Sequence, residues 1–221
     1  LVLVVPHLFD VDQPSIYLFQ RGSGLLVSVV AKAPAQALNL AEAALRGRPP
    51  AEVFERDLWI EAFTFRCERV TGPSWVGHAD PTTFRFVGGS AARVLQAADR
   101  PALAAFRQAM PNDEWEAAGL DLAAESLHGV FGEEGRLLSL AGTEQWGRHI
   151  AALSAVTLPT ERGKGHAAAA LKAAGRNALG EGSVLQARCL ESDVAAMRLA
   201  RTLGFQAWGR TMSVRLKPLN L

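Results

Sequence analysis

The sequence predicts an α/β protein in which helices alternate with the strands of a mixed sheet. Three observations carry that prediction. The apolar run His149-Ile-Ala-Ala-Leu-Ser-Ala-Val156 reads as a strand, and a glycine-containing loop joins it to an Ala-rich helix candidate at His166. Two strand-like runs flank Gly132-Glu-Glu-Gly135, the pattern of a hairpin. From Ala92 onward, periods of two and of 3.6 residues alternate, each change marked by Gly, Pro, Asn or Asp.

In chain order, Ser15 to Val30 reads as a hairpin turning at Gln20-Arg-Gly-Ser-Gly24. Ala35 to Leu45 has helical spacing, and Gly47-Arg-Pro-Pro50 stops it. Ala51 to Phe63 is a second helix candidate with Trp59 and Phe63 one turn apart. The segment from Gly72 to Pro81 is loop-like in composition, and Gly88-Gly-Ser90 is a breaker. That breaker divides the chain into a small additional α/β region, 1–90, of unassigned role, and a main domain, 91–221. The main domain starts with a strand at Ala92–Leu95, a helix at Arg100–Ala109 and a short helix at Asp113–Ala118 capped by Asn112. Strands follow at Leu127–Phe131, Arg136–Glu144 and His149–Thr157, then a helix at His166–Leu179. A strand at Ser183–Cys189, a helix at Asp193–Leu203 and two short strands, Phe205–Trp208 and Thr211–Leu216, complete it.

Composition excludes several classes. With 221 residues, 49% hydrophobic and 20% charged, the chain is long enough to bury a proper core. A net charge of +1 gives no reason to expect a nucleic-acid partner. No apolar stretch is long enough to span a membrane. Leu1-Val-Leu-Val-Val5 is too short for a signal peptide and lacks its cationic start. Cys67 and Cys189 are the only cysteines, and with five dispersed histidines they provide neither a disulfide framework nor metal-ligand spacing. A cytoplasmic protein without metal is the expectation; monomer and homodimer both stay open.

The loop after the long strand carries the chemistry. Arg162-Gly-Lys-Gly-His-Ala167 stands where a helix begins, and a helix N-terminus offers unpaired backbone N–H groups to phosphate oxygens. Gly163 and Gly165 permit positive φ and close approach of a ligand, while Arg162 and Lys164 add positive charge. The implied ligand is an anion of nucleotide type. The P-loop pattern G-x-x-x-x-G-K-[ST] is absent. Gly163-Lys-Gly-His-Ala-Ala168 satisfies the dinucleotide fingerprint on paper. However, Thr157 to Arg162 separate it from its strand, and too little chain follows for a second nucleotide-binding half.

The loop resembles the pyrophosphate loop [QR]-x-x-G-x-[GA] of the GNAT (Gcn5-related N-acetyltransferase) family, with Arg162, Gly165 and Ala167 at its defining positions and Pro159 just before it. Asp193-Val-Ala-Ala-Met-Arg-Leu-Ala-Arg-Thr-Leu-Gly-Phe205 is similar to the family's later helix and its L-G-F ending. The resemblance is firm from about Gly129 to Leu216. It implies a mixed, mostly antiparallel sheet flanked by helices, acetyl-CoA as co-substrate, and an amine of a small molecule or peptide as acceptor. It further implies that a splayed strand at Ala155, Val156 and Thr157 pairs with the pantetheine arm, and that Arg162, Gly163, Lys164, Gly165, His166 and Ala167 hold the pyrophosphate. Asp193 falls where many members place an Asn.

Catalytic groups are less defined. Direct attack on the thioester needs a base for the amine proton. The strand carries none of the glutamates that often serve, so Glu144 and His149 are the two candidates. The position of a frequent tyrosine acid is Ala200, leaving water or Ser192 to protonate the thiol. Asn112-Asp-Glu-Trp-Glu116 offers acidic and aromatic groups to a cationic acceptor, or simply a well-formed first helical turn. Trp75 and His78 are further candidates for the cleft. Those missing groups leave a non-catalytic acyl-CoA-binding module as the rival to an N-acetyltransferase, with a dinucleotide-binding domain more remote.

Overall fold

The computed structural model describes residues 2–6, 15–29, 35–49, 51–85, 91–120, 122 and 126–217. The Gly88–Ser90 breaker lies outside them. The chain forms two compact units, and they divide it differently from the expected 1–90 and 91–221. The first comprises Leu1–Val76, Cys189–Met197 and Ala207–Leu221; the second comprises Gly77–Arg188 and Arg198–Gln206.

In the first unit, β1 (Val2–Pro6) runs parallel to β3 (Gly24–Val29), and β2 (Ser15–Arg21) forms the expected antiparallel hairpin with β3. The two following helices are α1 (Ala35–Leu45) and α2 (Arg56–Phe63), the latter preceded by a 3-10 turn at Glu52–Phe54. The strand order is β1-β3-β2-β10-β4, where β4 is Cys67–Ala79 and β10 is Gln206–Leu216. The core takes Ile16, Leu18, Val27, Val214 and Leu216 from the sheet and Ala41, Leu45, Trp59 and Phe63 from the helices. Trp59 and Phe63 stack one turn apart, and the Trp59 indole N–H donates to the Val53 carbonyl at 2.7 Å. That bond satisfies the only polar atom of a wholly buried side chain.

Two expectations fail here. The segment 72–81 is not a loop, because β4 continues to Ala79 and buries Trp75, Val76 and Ala79. Nor do two strands finish the chain: β10 is continuous through Gly209. A Cβ there would meet the Gln20 carbonyl at 2.4 Å, so that glycine serves close strand approach and not a turn.

The second unit has the order β9-β8-β7-β6-β5, with the end of β4 beside β9. Its strands are β5 (Ala92–Val94), β6 (His128–Phe131), β7 (Leu137–Trp146), β8 (Ile150–Thr157) and β9 (Val184–Leu190). The first four pair antiparallel in sequence, and β8 and β9 pair parallel. Such a sheet excludes the dinucleotide-binding architecture, whose strands are parallel. Leu140 and Val156, opposite each other in the ladder, join Phe106 from α3 (Arg100–Ala109), Met110 at its C-cap and Trp115 from α4 (Asn112–Ala118). The other helix against β7 and β8 is α5 (His166–Gly180), which buries Ala170, Ala174 and Ala178 at helical spacing.

The L-G-F ending has a plain steric origin. After α6 (Val194–Thr202), Gly204 adopts φ +92°, and a Cβ on it would stand 1.9 Å from the Thr83 carbonyl oxygen. Leu203 accepts from the Arg85 N–H, and Phe205 meets Phe84 edge to face with ring centroids 5.7 Å apart. Phe84 also lies against Gly175 of α5, where a Cβ would be 2.6 Å from the ring.

Candidate functional site: a parted strand pair and its glycine loop

Ile150, Ala151 and Ala152 of β8 pair with Val184, Leu185 and Gln186 of β9, and the ladder ends there. β8 nevertheless continues to Thr157, still paired with β7 as far as Ser139. On the β9 side, residues 153–157 therefore present an open strand edge. Which groups face it follows from the antiparallel pattern, in which alternate residues bond one neighbour and then the other. The Leu158 N–H donates to the Leu138 carbonyl on β7, so residues of even number turn to β7. Ala155 and Thr157 thus direct N–H and C=O toward the gap. Val156, expected to do the same, is committed to β7, and its carbonyl also accepts from the Ser139 hydroxyl at 3.0 Å.

The Ser139 hydroxyl also lies 2.8 Å from the Thr157 hydroxyl. Ser139 is fully buried, so this pair fixes the last residue of β8 from beneath. Sequence reading missed Ser139, since a buried serine in an apolar strand has no pattern of its own.

Beyond Thr157 the chain makes a 3-10 turn at Pro159–Glu161 and reaches Arg162 in extended conformation. Gly163 and Gly165 take φ +76° and +85°, with open space where a Cβ would stand. Gly165 is the N-cap of α5, and the first helical bond runs from the Ala169 N–H to its carbonyl at 3.1 Å. The N–H groups of His166, Ala167 and Ala168 come before that bond and point out of the helix start. The loop thus gathers backbone donors at the positive end of a helix dipole.

Its cations are not idle. Arg162 is ion-paired with Glu114 of α4. Lys164 donates to Glu161 at 2.9 Å, and His166 and Arg136 approach the same carboxylate at 3.7 and 3.8 Å. The Lys164 hydrogen bond holds the Glu161 carboxyl below its usual range; partial burial opposes this, and the charges of Lys164, Arg136 and His166 assist. Glu161 lies three residues before Lys164, a spacing that could have revealed it. Glu114 is 48 residues from Arg162, and no local pattern could.

The two candidate bases stand at different distances from the gap. Glu144 is exposed and faces Ala152, the last β8 residue paired to β9. By strand alternation its side chain shares the face of Leu140, the α3–α4 face. His149 lies in the β7–β8 turn, and its carbonyl accepts from Val184 where β8 and β9 are still joined. At about 3.3 Å per residue, Thr157 is roughly 16 Å from Ala152 and 26 Å from His149.

Asp193 caps α6, its Oδ1 accepting from the Ala196 N–H at 2.9 Å. Ser192 is exposed, while Ala200 is buried in α6. Asn112 is not the cap of α4, because Pro111 occupies that position and Asn112 accepts from Arg107 at 2.9 Å. Arg107 also lies over the Trp115 ring, 4.9 Å from its centroid, so that face is already taken. Trp75 and His78 belong to β4, with His78 3.2 Å from Gln186. Among the described residues no cluster of three His, Cys, Asp or Glu could hold a metal, and no helix is long and apolar enough to cross a membrane.

No protein-family model matches the chain, and no curated protein matches it significantly. Solved structures do match. A GNAT-family protein from Novosphingobium aromaticivorans superposes with a TM-score of 0.54 at 24% identity, over 70% of this chain and 68% of its own. An acetyltransferase of the same family from Colwellia psychrerythraea gives 0.55 at 14% identity, over 86% and 76%. A GCN5-related N-acetyltransferase-like protein from Streptococcus suis gives 0.54 at 13%, over 95% and 87%. At these identities the likeness is one of architecture. Parted strands, glycine loop and helix order agree with it: this chain has the GNAT fold.

Proposed function

We propose that the protein is an acetyl-CoA-dependent N-acetyltransferase that acylates a primary amine of a small molecule or peptide. The observation that supports this best is the parting of β8 from β9 after Ala152, with a positive-φ glycine loop at the end of the freed strand. A pantetheine arm fits the edge at Ala155 and Thr157, and a pyrophosphate fits the N–H groups from Gly163 to Ala167. The pantetheine fit needs only backbone donors, in keeping with the small side chains of Ala155 and Thr157, and at the loop Arg162 adds a side-chain donor. The Ala155 N–H, directed toward the gap, would stabilise negative charge developing on the thioester oxygen.

In the transfer, the amine nitrogen bonds to the acetyl carbon, the carbon–sulfur bond breaks, and the thiolate takes a proton from water. Glu144 is the better candidate for the amine proton, because it faces the point where the strands part, whereas His149 lies at the joined end. Free Cys67 and Cys189, both with thiols pushed up chiefly by burial, suit a cytoplasmic setting.

The test is calorimetric titration with acetyl-CoA, followed by an amine panel assayed for CoA-thiol release. Release with at least one amine is the expected result. Tight binding without release from any amine would favour an acyl-CoA-binding module, in keeping with the buried Ala200 at the tyrosine position. Absence of binding would overturn both readings.

A further inference from the structure

Arg162 is the loop's side-chain donor of greatest reach, and in this structure a carboxylate from another element holds it. Glu114 lies in the first turn of α4, next to Trp115, which packs in the cluster containing Val156 and Leu158 at the end of β8. The pair therefore ties the phosphate loop to the helix covering one face of the open strand. Both side chains are about half exposed (49% and 40%), so the tie can break without stranding a buried charge. A guanidinium offers one planar fork, and a pyrophosphate and Glu114 compete for it.

We propose that Glu114 is a latch: it occupies Arg162 in the free protein, and an anionic ligand in the loop takes the guanidinium and releases α4's carboxylate. This rests on the reading of the loop as a pyrophosphate seat. The released carboxylate then stands beside the open strand edge as a counter-charge for a cationic amine, so donor binding promotes acceptor binding. By linkage the acceptor promotes donor binding in equal measure.

A double-mutant cycle read by calorimetry tests the latch, with acetyl-CoA and inorganic pyrophosphate as separate probes at fixed ionic strength. Glu114→Gln should tighten both about two- to fivefold, the range an exposed ion pair commands. Arg162→Gln should weaken both. In the Arg162→Gln background, Glu114→Gln should change nothing. An unchanged or weakened affinity in folded Glu114→Gln overturns the latch. So does an equal gain in the Arg162→Gln background, which would mark a general field effect. In either case the loop reading survives, because the wild type still binds. If the wild type binds neither probe, the loop reading falls and the latch with it.

Discussion

Ala152 and Gln186 form the last rung between β8 and β9, and three residues further on Ala155 faces no strand on that side. Its neighbour Val156 is hydrogen-bonded into β7 instead. Proline substitution separates the two. Ala155→Pro removes an N–H that no ladder uses, so folding should persist while acetyl-CoA binding falls at least tenfold. Val156→Pro removes a ladder bond in a buried strand and should cost about 1–3 kcal/mol, the cost of leaving the opposing carbonyl without its donor. Urea unfolding and calorimetry on both variants check this; equal destabilisation by the two would reverse the assignment of which groups face the gap.

Gly165 caps α5 at φ +85° with open space around its Cβ position. Gly165→Ala meets no steric obstacle inside the protein, so its stability cost is the left-handed conformation alone, about 1–2 kcal/mol. On the proposed reading of the loop the new methyl would meet an approaching phosphate oxygen, and Gly165→Asp would add repulsion. Affinity for acetyl-CoA should drop with Ala and further with Asp. Unchanged affinity in the folded Asp variant would remove the loop from the cofactor site.

Gly204 combines positive φ with contact to the Thr83 carbonyl. Gly204→Ala incurs both left-handed strain and overpacking against backbone, together about 3 kcal/mol or more. The expected result is a large fall in the urea midpoint, far exceeding that of Gly163→Ala, where the Cβ has room.

His128 is buried in β6, with ring Nδ1 3.1 Å from the Ser126 carbonyl. Burial holds it below the ordinary value of 6.5, the bond to Ser126 opposing. A base with a depressed folded value binds its proton more readily when unfolded. Its neutral form therefore supports the fold fully above about pH 6.5, and stability declines as pH falls from there toward the folded value. Urea midpoints between pH 8 and 5 should show that decline, and His128→Asn should flatten it.

Glu144→Gln should reduce kcat by roughly 100-fold with acetyl-CoA binding intact and should abolish the rising limb of the pH–rate profile. His149→Ala should leave kcat within a few-fold. The reverse pattern would transfer the role of base to His149, and indifference to both would leave proton removal to water.

Local chemistry made much of this protein legible before any coordinates. The hairpin at Ser15–Val30, helix α1, helix α3, the strand–loop–helix at β8–α5 and the loop glycines at 163 and 165 all announce themselves through periodicity or turn residues. These are properties of neighbours in the chain, and adjacent residues suffice to encode them. What tertiary structure decided depends on partners remote in sequence. Gly72–Ala79 looks like a loop by composition, yet strand pairing makes it part of β4. Gly209 looks like a break, yet close approach of Gln20 keeps it within β10. Val156 and Ala155 are indistinguishable as apolar strand residues until the register with β7 assigns each a direction. Glu114 finds Arg162 across 48 residues, a pairing set by how α4 packs on β8. Strand parting too is tertiary, because nothing in Leu153–Thr157 itself says that the ladder with β9 ends at Gln186. Backbone preference is local and additive, whereas register, edge exposure and ion pairing arise only when the elements are assembled.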